Sequence, residues 1–499
     1  MLFICIKMQK QSTIIKICAQ TIEKIVVIWY NSYIPSNIAK KRIFSMKKKL
    51  SFKEYVYVAS MLFGMFFGAG NLIFPVHMGQ SAGSNVWTAV LGFLITGVGL
   101  PLLGVAALGI SRSTGLFDLS SKTGKPYGYF FTCLLYLTIG PFFAIPRCAT
   151  TSFTVGLEQL LPKSDYGRLY LFLFTFAFFL AALMFSLFPG KILTWVGKIL
   201  NPCFLVFLGI LVVVSLINPT ASVSSVAPEG NYVDQPFFAG FLDGYNTMDA
   251  LASLAFGIIV VNVIKSLGVT EPGAVASNTV KSGIFSCLFM AVIYVAVAVV
   301  GTQSRGAFAT SENGGIALAQ IAEHYLGFAG LIVLAATVTL ACLKTAVGLI
   351  TSCAETFTAL FKKGPNYRTW AIIFSALSFI FSNFGLSNII TYSVPVLMFL
   401  YPLAIVLILL ALFGKFFGHD KKVYAFTIGF TLLPSLYDGF MSLNKSVTII
   451  DSAAIEAITS KYLPFSDLGL GWICPAALGL IIGLIVHFAS KSKQKPSLG

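Results

Sequence analysis

Charge is what this sequence has least of. Only 10% of its 499 residues are Asp, Glu, Lys or Arg, against about 25% in an ordinary soluble domain. With 57% hydrophobic residues, the chain cannot clothe a water-facing surface, and an integral membrane protein is expected. Histidine is scarce too: His77, His324, His419 and His487 are scattered. The nine cysteines contain no CxxC, so the spacing argues against a disulfide framework or a structural metal site. Cys133, Cys148, Cys203, Cys287, Cys342, Cys353 and Cys474 fall in apolar runs, where a thiol behaves as a small hydrophobe. Cys5 and Cys18 lie in the N-terminal leader. No glycine motif of the Walker type occurs, which argues against an ATP-driven pump.

What is present is a series of apolar runs of roughly 20 residues, the length of a spanning helix and not of a barrel strand. Twelve spans are expected, at about 53–77, 86–110, 127–157, 168–189, 191–217, 237–264, 280–302, 328–360, 369–385, 387–413, 423–441 and 469–489. The formal charge of +16 comes from basic residues clustered between the spans, so it speaks for membrane orientation and not for nucleic acid. From Met46 on, the inside segments carry twenty Lys and Arg, against Lys163, Arg168, Arg305, Lys445 and Lys461 outside. Both termini are therefore expected in the cytoplasm.

Residues 1–45 read differently, rich in Ile, Lys, Asn, Gln and Tyr without a clean span or a signal-peptide core. They are expected to be a disordered extension or a misassigned start, with Met46-Lys47-Lys48-Lys49 as an ordinary cytoplasmic beginning. Residues 46–490 form one transmembrane domain: a first repeat at about 53–217, a second at about 237–413, and two added helices at about 423–489. Residues 491–499 are a cytoplasmic tail.

The first span carries an interruption, Phe66-Phe67-Gly68-Ala69-Gly70-Asn71-Leu72-Ile73-Phe74-Pro75. In lipid every backbone polar group needs a partner inside the protein, so such a break is tolerated only where it lines a cavity or is buried. Secondary transporters use broken helices to hold substrate and ions at the midplane. A second break is expected in the sixth span, where Asp243-Gly244-Tyr245-Asn246-Thr247-Met248-Asp249 gives way to small residues ending at Gly257. Matching breaks in spans one and six suggest an inverted repeat of five plus five helices.

Other polar residues in the spans are functional candidates by default. Asp243 and Asp249 read equally as N-caps near an interface, and Ser253 and Gly257 as small-residue helix packing. Arg147 ends the double-proline segment Gly140-Pro141-Phe142-Phe143-Ala144-Ile145-Pro146-Arg147. It is expected to pair with an acid such as Asp249 or Glu355 or to line the outer vestibule, with contact to a substrate carboxylate as the alternative. Lys344 in the eighth span needs a counter-charge or a depressed pKa. Asp438 reads as interfacial, and Tyr392-Ser393-Val394-Pro395 with Tyr401-Pro402 as a kinked gate helix or plain packing.

Four signatures, Phe67-Gly68-Ala69-Gly70-Asn71-Leu72-Ile73-Phe74-Pro75, the double-proline segment, Gly244-Tyr245-Asn246-Thr247-Met248-Asp249-Ala250-Leu251 and Ala341-Cys342-Leu343-Lys344-Thr345-Ala346-Val347-Gly348-Leu349, resemble the bacterial branched-chain amino acid carriers (BrnQ-type, LIVCS cation symporters). The resemblance runs from about Met46 to the end. It implies uptake of leucine, isoleucine and valine across the bacterial cytoplasmic membrane, driven by Na⁺ or H⁺, on a broken-helix inverted-repeat fold. It implies that Gly68, Ala69, Gly70 and Asn71 meet the substrate carboxylate, that carbonyls near Ala250, Leu251 and Ser253 meet the amine, and that Phe256 helps hold the aliphatic tail. A cation site is implied at Gly64, Phe67 and Thr345. There Lys344 departs from the small hydroxyl residue expected of the family, and its amine either stands in for Na⁺ or faces away to an acid. Arg147, Asp249 and Glu355 remain as gate or structural charges.

No cofactor, nucleic acid or obligatory protein partner is expected, only an amino-acid substrate, the coupling ion and the bilayer. A channel would show a continuous polar stripe, and a membrane enzyme would cluster His, Asp or Glu; the runner-up is another neutral amino acid on the same fold. Asn71→Ala and Ser253→Ala are expected to impair transport without abolishing insertion.

Overall fold

The computed structural model describes residues 49–68, 70–161, 166–187, 205–451 and 453–493. The extension 1–45, Ala69, the first part of the fifth span and the end of the tail lie outside the described residues. Helix dominates, as the absence of water in a bilayer demands. Among the described residues eight helices are long and apolar enough to cross a membrane, and Leu205–Ile217 and Tyr367–Ser382 are shorter apolar ones. Large apolar side chains such as Leu180, Leu433 and Ile485 point outward along these helices, as lipid-facing positions do.

The first span is split into α1 (Phe52–Phe66) and α2 (Gly70–Ala82). Ser51 and Glu54 start α1 with a reciprocal capping box. Then α3 (86–110) contains a wide π-helical turn at Ile95–Gly99. The third span, α4 (Lys125–Leu160), is kinked at Gly140, where the double-proline segment predicted a kink. Next come α5 (Gly167–Leu187) and α6 (Leu205–Ile217).

The sixth span is split into α7 (Pro236–Asp243) and α8 (Asp249–Ser266), joined by a 3-10 turn over Gly244–Thr247 and by Met248. Met248 has φ 61°, a left-handed conformation uncommon for a residue with a side chain. After α9 (Pro272–Ser304), α10 (Gly314–Leu360) turns sharply at Gly327, so part of the predicted outer loop 303–327 is helical. Asn313 caps this segment by accepting from the N–H groups of Gly315 and Ile316. The chain closes with α11 (Tyr367–Ser382), α12 (Leu386–Phe413), α13 (Lys421–Val447) and α14 (Ile473–Lys493). At the Lys421 end of α13, Asp420 accepts from the Lys422 N–H at 2.8 Å and pairs with His487 Nδ1 at 2.5 Å, which holds its carboxyl below the usual range.

Two reciprocal glycine contacts set the halves against each other. A Cβ on Gly79 of α2 would lie 1.9 Å from the Ala298 carbonyl of α9, and one on Gly301 of α9 would lie 2.2 Å from the Val76 carbonyl of α2. Likewise a Cβ on Gly92 of α3 would lie 2.0 Å from the Phe237 carbonyl of α7, and one on Gly240 of α7 would lie 2.0 Å from that of Ala89. Span one meets span seven as span six meets span two, the correspondence an inverted repeat requires. Without a hydrophobic drive between helices in lipid, such small-residue contacts are what brings them together.

Candidate functional site

The two breaks meet through one asparagine. Asn71, in the first turn of α2, accepts from the Gly68 N–H at 2.8 Å and so closes the turn it follows. Its amide Nδ2 donates to Asp249 Oδ2 at 2.5 Å and is also in contact with the Tyr294 hydroxyl. Tyr294, from α9, donates to the same Asp249 oxygen at 3.1 Å. Asn71 and Asp249 are 2% and 3% exposed, so their polar groups have no water to fall back on and the cluster has to satisfy itself. Asp249 is therefore no interfacial cap; it ties the start of α8 to the start of α2. Asp243 also has a tertiary partner, the Tyr232 hydroxyl, in addition to Asn246.

Arg147 reaches both breaks from α4. Its Nη1 donates to the Asn246 carbonyl at 2.8 Å, inside the turn that interrupts span six. Its guanidinium lies over the Phe74 ring, 4.9 Å from the centroid. A Cβ on Gly70 would sit 3.0 Å from Nη2, which puts the fork against the first residue of α2. Among the described residues no acid is ion-paired with Arg147. The expected partners are otherwise placed: Asp249 is held by Asn71 and Tyr294, and Glu355 is exposed.

The positions expected to hold a cation also converge. Lys344 Nζ is 3.5 Å from the Gly64 carbonyl, in the last turn of α1. A Cβ on Gly68 would lie 3.5 Å from Thr345 Oγ1, and that hydroxyl donates to Ala341 in its own helix, leaving its lone pairs available. Phe67 is extended, with ψ 99°, where α1 ends. The amine of Lys344 faces the end of α1 and has no acid partner among the described residues.

The break in span six lies earlier than the sequence reading had it. Ala250, Leu251 and Ser253 are helical within α8, and the interruption falls at the 3-10 turn Gly244–Thr247 and at Met248. Ser253 donates to the Ala250 carbonyl at 2.6 Å, and a Cβ on Gly104 of α3 would lie 1.9 Å from its oxygen. A Cβ on Gly257 would lie 2.8 Å from Leu108. The small residues of α8 thus seat it on α3, and Phe256 is buried on the same helix. Tyr294 escaped the sequence reading, in which Asn246 stood only as part of the polar run and not as the acceptor of Arg147. A tyrosine in the otherwise apolar seventh span was the available signal, because a buried hydroxyl usually finds a partner.

Beside these groups a cavity of about 630 Å³ is lined by Tyr232, Asp243, Tyr245, Asn246, Met398 and Asp438 among others. Tyr245, which lines it, stacks on Tyr401 at 4.0 Å, and Gly68, Gly70 and Asn71 do not line it. Asp438 lines this cavity and is buried, and among the described residues its Oδ2 has no hydrogen-bond partner.

Sequence comparison agrees with this architecture. Residues 51–490 match the family model described as branched-chain amino acid transport protein. The branched-chain amino acid permease BrnQ of Lactobacillus delbrueckii subsp. lactis is 50% identical over 448 residues, covering 90% of this chain and 100% of its own. The permease of the same name from Bacillus subtilis (strain 168) is 41% identical over 443 residues, covering 88% and 98%. Among solved structures, Mhp1, a nucleobase-cation-symport-1 family transporter in a closed conformation with bromovinylhydantoin bound, superposes with TM-score 0.57 at 14% identity, covering 89% of this chain and 94% of its own, and so shares the fold. Two buried helix breaks in a charge-poor helical bundle and a match over nearly its whole length lead to one conclusion: the chain belongs to the branched-chain amino acid transport protein family.

Proposed function

We propose that this chain imports leucine, isoleucine and valine across the bacterial cytoplasmic membrane by cation symport, with both termini inside. The observation that carries this reading is the polar cluster in which Asn71, Asp249 and Tyr294 join the two breaks deep within the bundle. The names of the relatives supply the substrate class. A zwitterion needs little more than opposed dipoles at two helix ends, so few charges are required. A hydrophobic pocket separates aliphatic tails by only about 1–3 kcal/mol per methylene, which accounts for one carrier serving three substrates. Uptake of labelled leucine in proteoliposomes is the test. Excess isoleucine or valine is expected to suppress it at least tenfold, and failure of both to compete removes the substrate assignment.

For the coupling ion, Na⁺ at the Gly64 and Phe67 carbonyls with the Thr345 hydroxyl is the first reading. A second is favoured by the approach of Lys344 Nζ to the Gly64 carbonyl: the amine stands in for the ion, and coupling passes to H⁺. Leucine uptake with and without Na⁺ separates them, since strong stimulation by Na⁺ rules the substitution out.

A further inference from the structure

Among the described residues Arg147, between the breaks, has no ion-pair partner, and Asp249 attracts it only from where Asn71 and Tyr294 hold that acid. Arg147 is 3% exposed, yet among the described residues it donates to a backbone carbonyl, that of Asn246, and its guanidinium lies over the face of Phe74. A guanidinium offers five N–H donors in a planar fork whose natural complement is a carboxylate. The fork lies against Gly70, the first residue of a 13-residue helix whose leading N–H groups have no partners within the helix and whose dipole presents its positive end there. Asp249, the buried acid of this region, is turned to Asn71 and Tyr294. Two positive features thus face the same spot. With Asp249 engaged by Asn71 and Tyr294, taking both out of water favours a further anion at that spot.

We infer that Arg147 is the receptor for the substrate carboxylate, its guanidinium held in place by the Asn246 carbonyl and the Phe74 ring and its free donors working together with the first turn of α2. This rests on the transport reading above and adds to it a charged side chain from the third span. The carbonyl contact has a second consequence. Because Arg147 is anchored in the turn of span six and waits at the start of α2, a carboxylate bound to it bridges the two breaks. Amino acids are then distinguished from amines by a charge-assisted contact, and from one another only by the apolar pocket.

The test compares binding of leucine and leucinamide, which keep the same amine and tail, to purified wild-type and Arg147→Gln transporter. The wild type is expected to prefer leucine by about 100-fold, the range of a lost bidentate contact to a charged group. In Arg147→Gln that preference should fall to within about threefold of unity, with leucinamide bound as before. Equal weakening of both ligands marks Arg147 as structural and overturns the inference, as does a preference left at the wild-type value. Should Arg147→Gln not yield monodisperse protein, Arg147→Lys keeps the charge without the fork. A tenfold drop in the preference then supports the inference, and an unchanged preference overturns it. If the wild type binds a different neutral amino acid instead of leucine, the branched-chain assignment falls, and the same ratio is read with that acid and its amide.

Discussion

Asp249 receives Asn71 and Tyr294 on a single oxygen, so each of the three groups depends on the other two. Removing one partner from a buried polar set costs the desolvation of those left behind, about 1–3 kcal/mol. Asn71→Ala also deprives the Gly68 N–H of its acceptor. It is expected to lower leucine uptake at least tenfold while the protein still reaches the membrane, as uptake and a Western blot of the same vesicles would report. Ser253 is a different case. Its hydroxyl bonds back to its own helix, and its bulk rather than its polarity matters against Gly104. Ser253→Ala should therefore keep near-normal uptake, contrary to what the sequence reading expected. Ser253→Leu should lose folded protein, because overpacking a fitted interface costs about 1–3 kcal/mol or more. Loss of uptake in Ser253→Ala at full expression would return Ser253 to the substrate site.

At the scale of whole elements, the breaks were legible in the sequence and their partners were not. Gly68, Gly70 and Asn71 stand out because an apolar span has no other reason to carry them. In span six the polar run from Asp243 to Asp249 was legible too, but its small residues drew attention past the turn, toward Ala250–Ser253. Small residues have two uses in a membrane helix, unwinding and close approach, and the local sequence is the same for both. The contacts of Ser253 and Gly257 with α3 show the second use. The acid expected opposite Arg147 was a tertiary question, and a carbonyl took that place. The glycines between α2 and α9 allow a direct test. Gly79→Val meets the Ala298 carbonyl and is expected to abolish recovery of monodisperse protein in fluorescence-detected size exclusion, whereas Gly348→Ala on α10, with nothing within 4 Å, should be recovered like the wild type. Equal recovery of both would mean that α2 and α9 do not pack this way.

On the scale of the molecule, orientation and access can be read together. Cysteine placed at Ser442, which lines the cavity, is expected to react with a membrane-impermeant maleimide added outside intact cells, and cysteine at Lys122 only after the membrane is opened. The reverse pattern would invert the topology. Tyr245, stacked on Tyr401, lines the cavity, whereas Asn71, Asp249 and Tyr294 do not. The shared oxygen of Asp249 has a consequence for gating. An opening that moved α2 without α8, or α8 without α2, would break the Asn71–Asp249 bond and leave buried groups stranded. The two half-helices are thereby made to shift as a pair, and the leak that independent movement would allow, solute slipping through with neither door closed, is discouraged by a single carboxyl group.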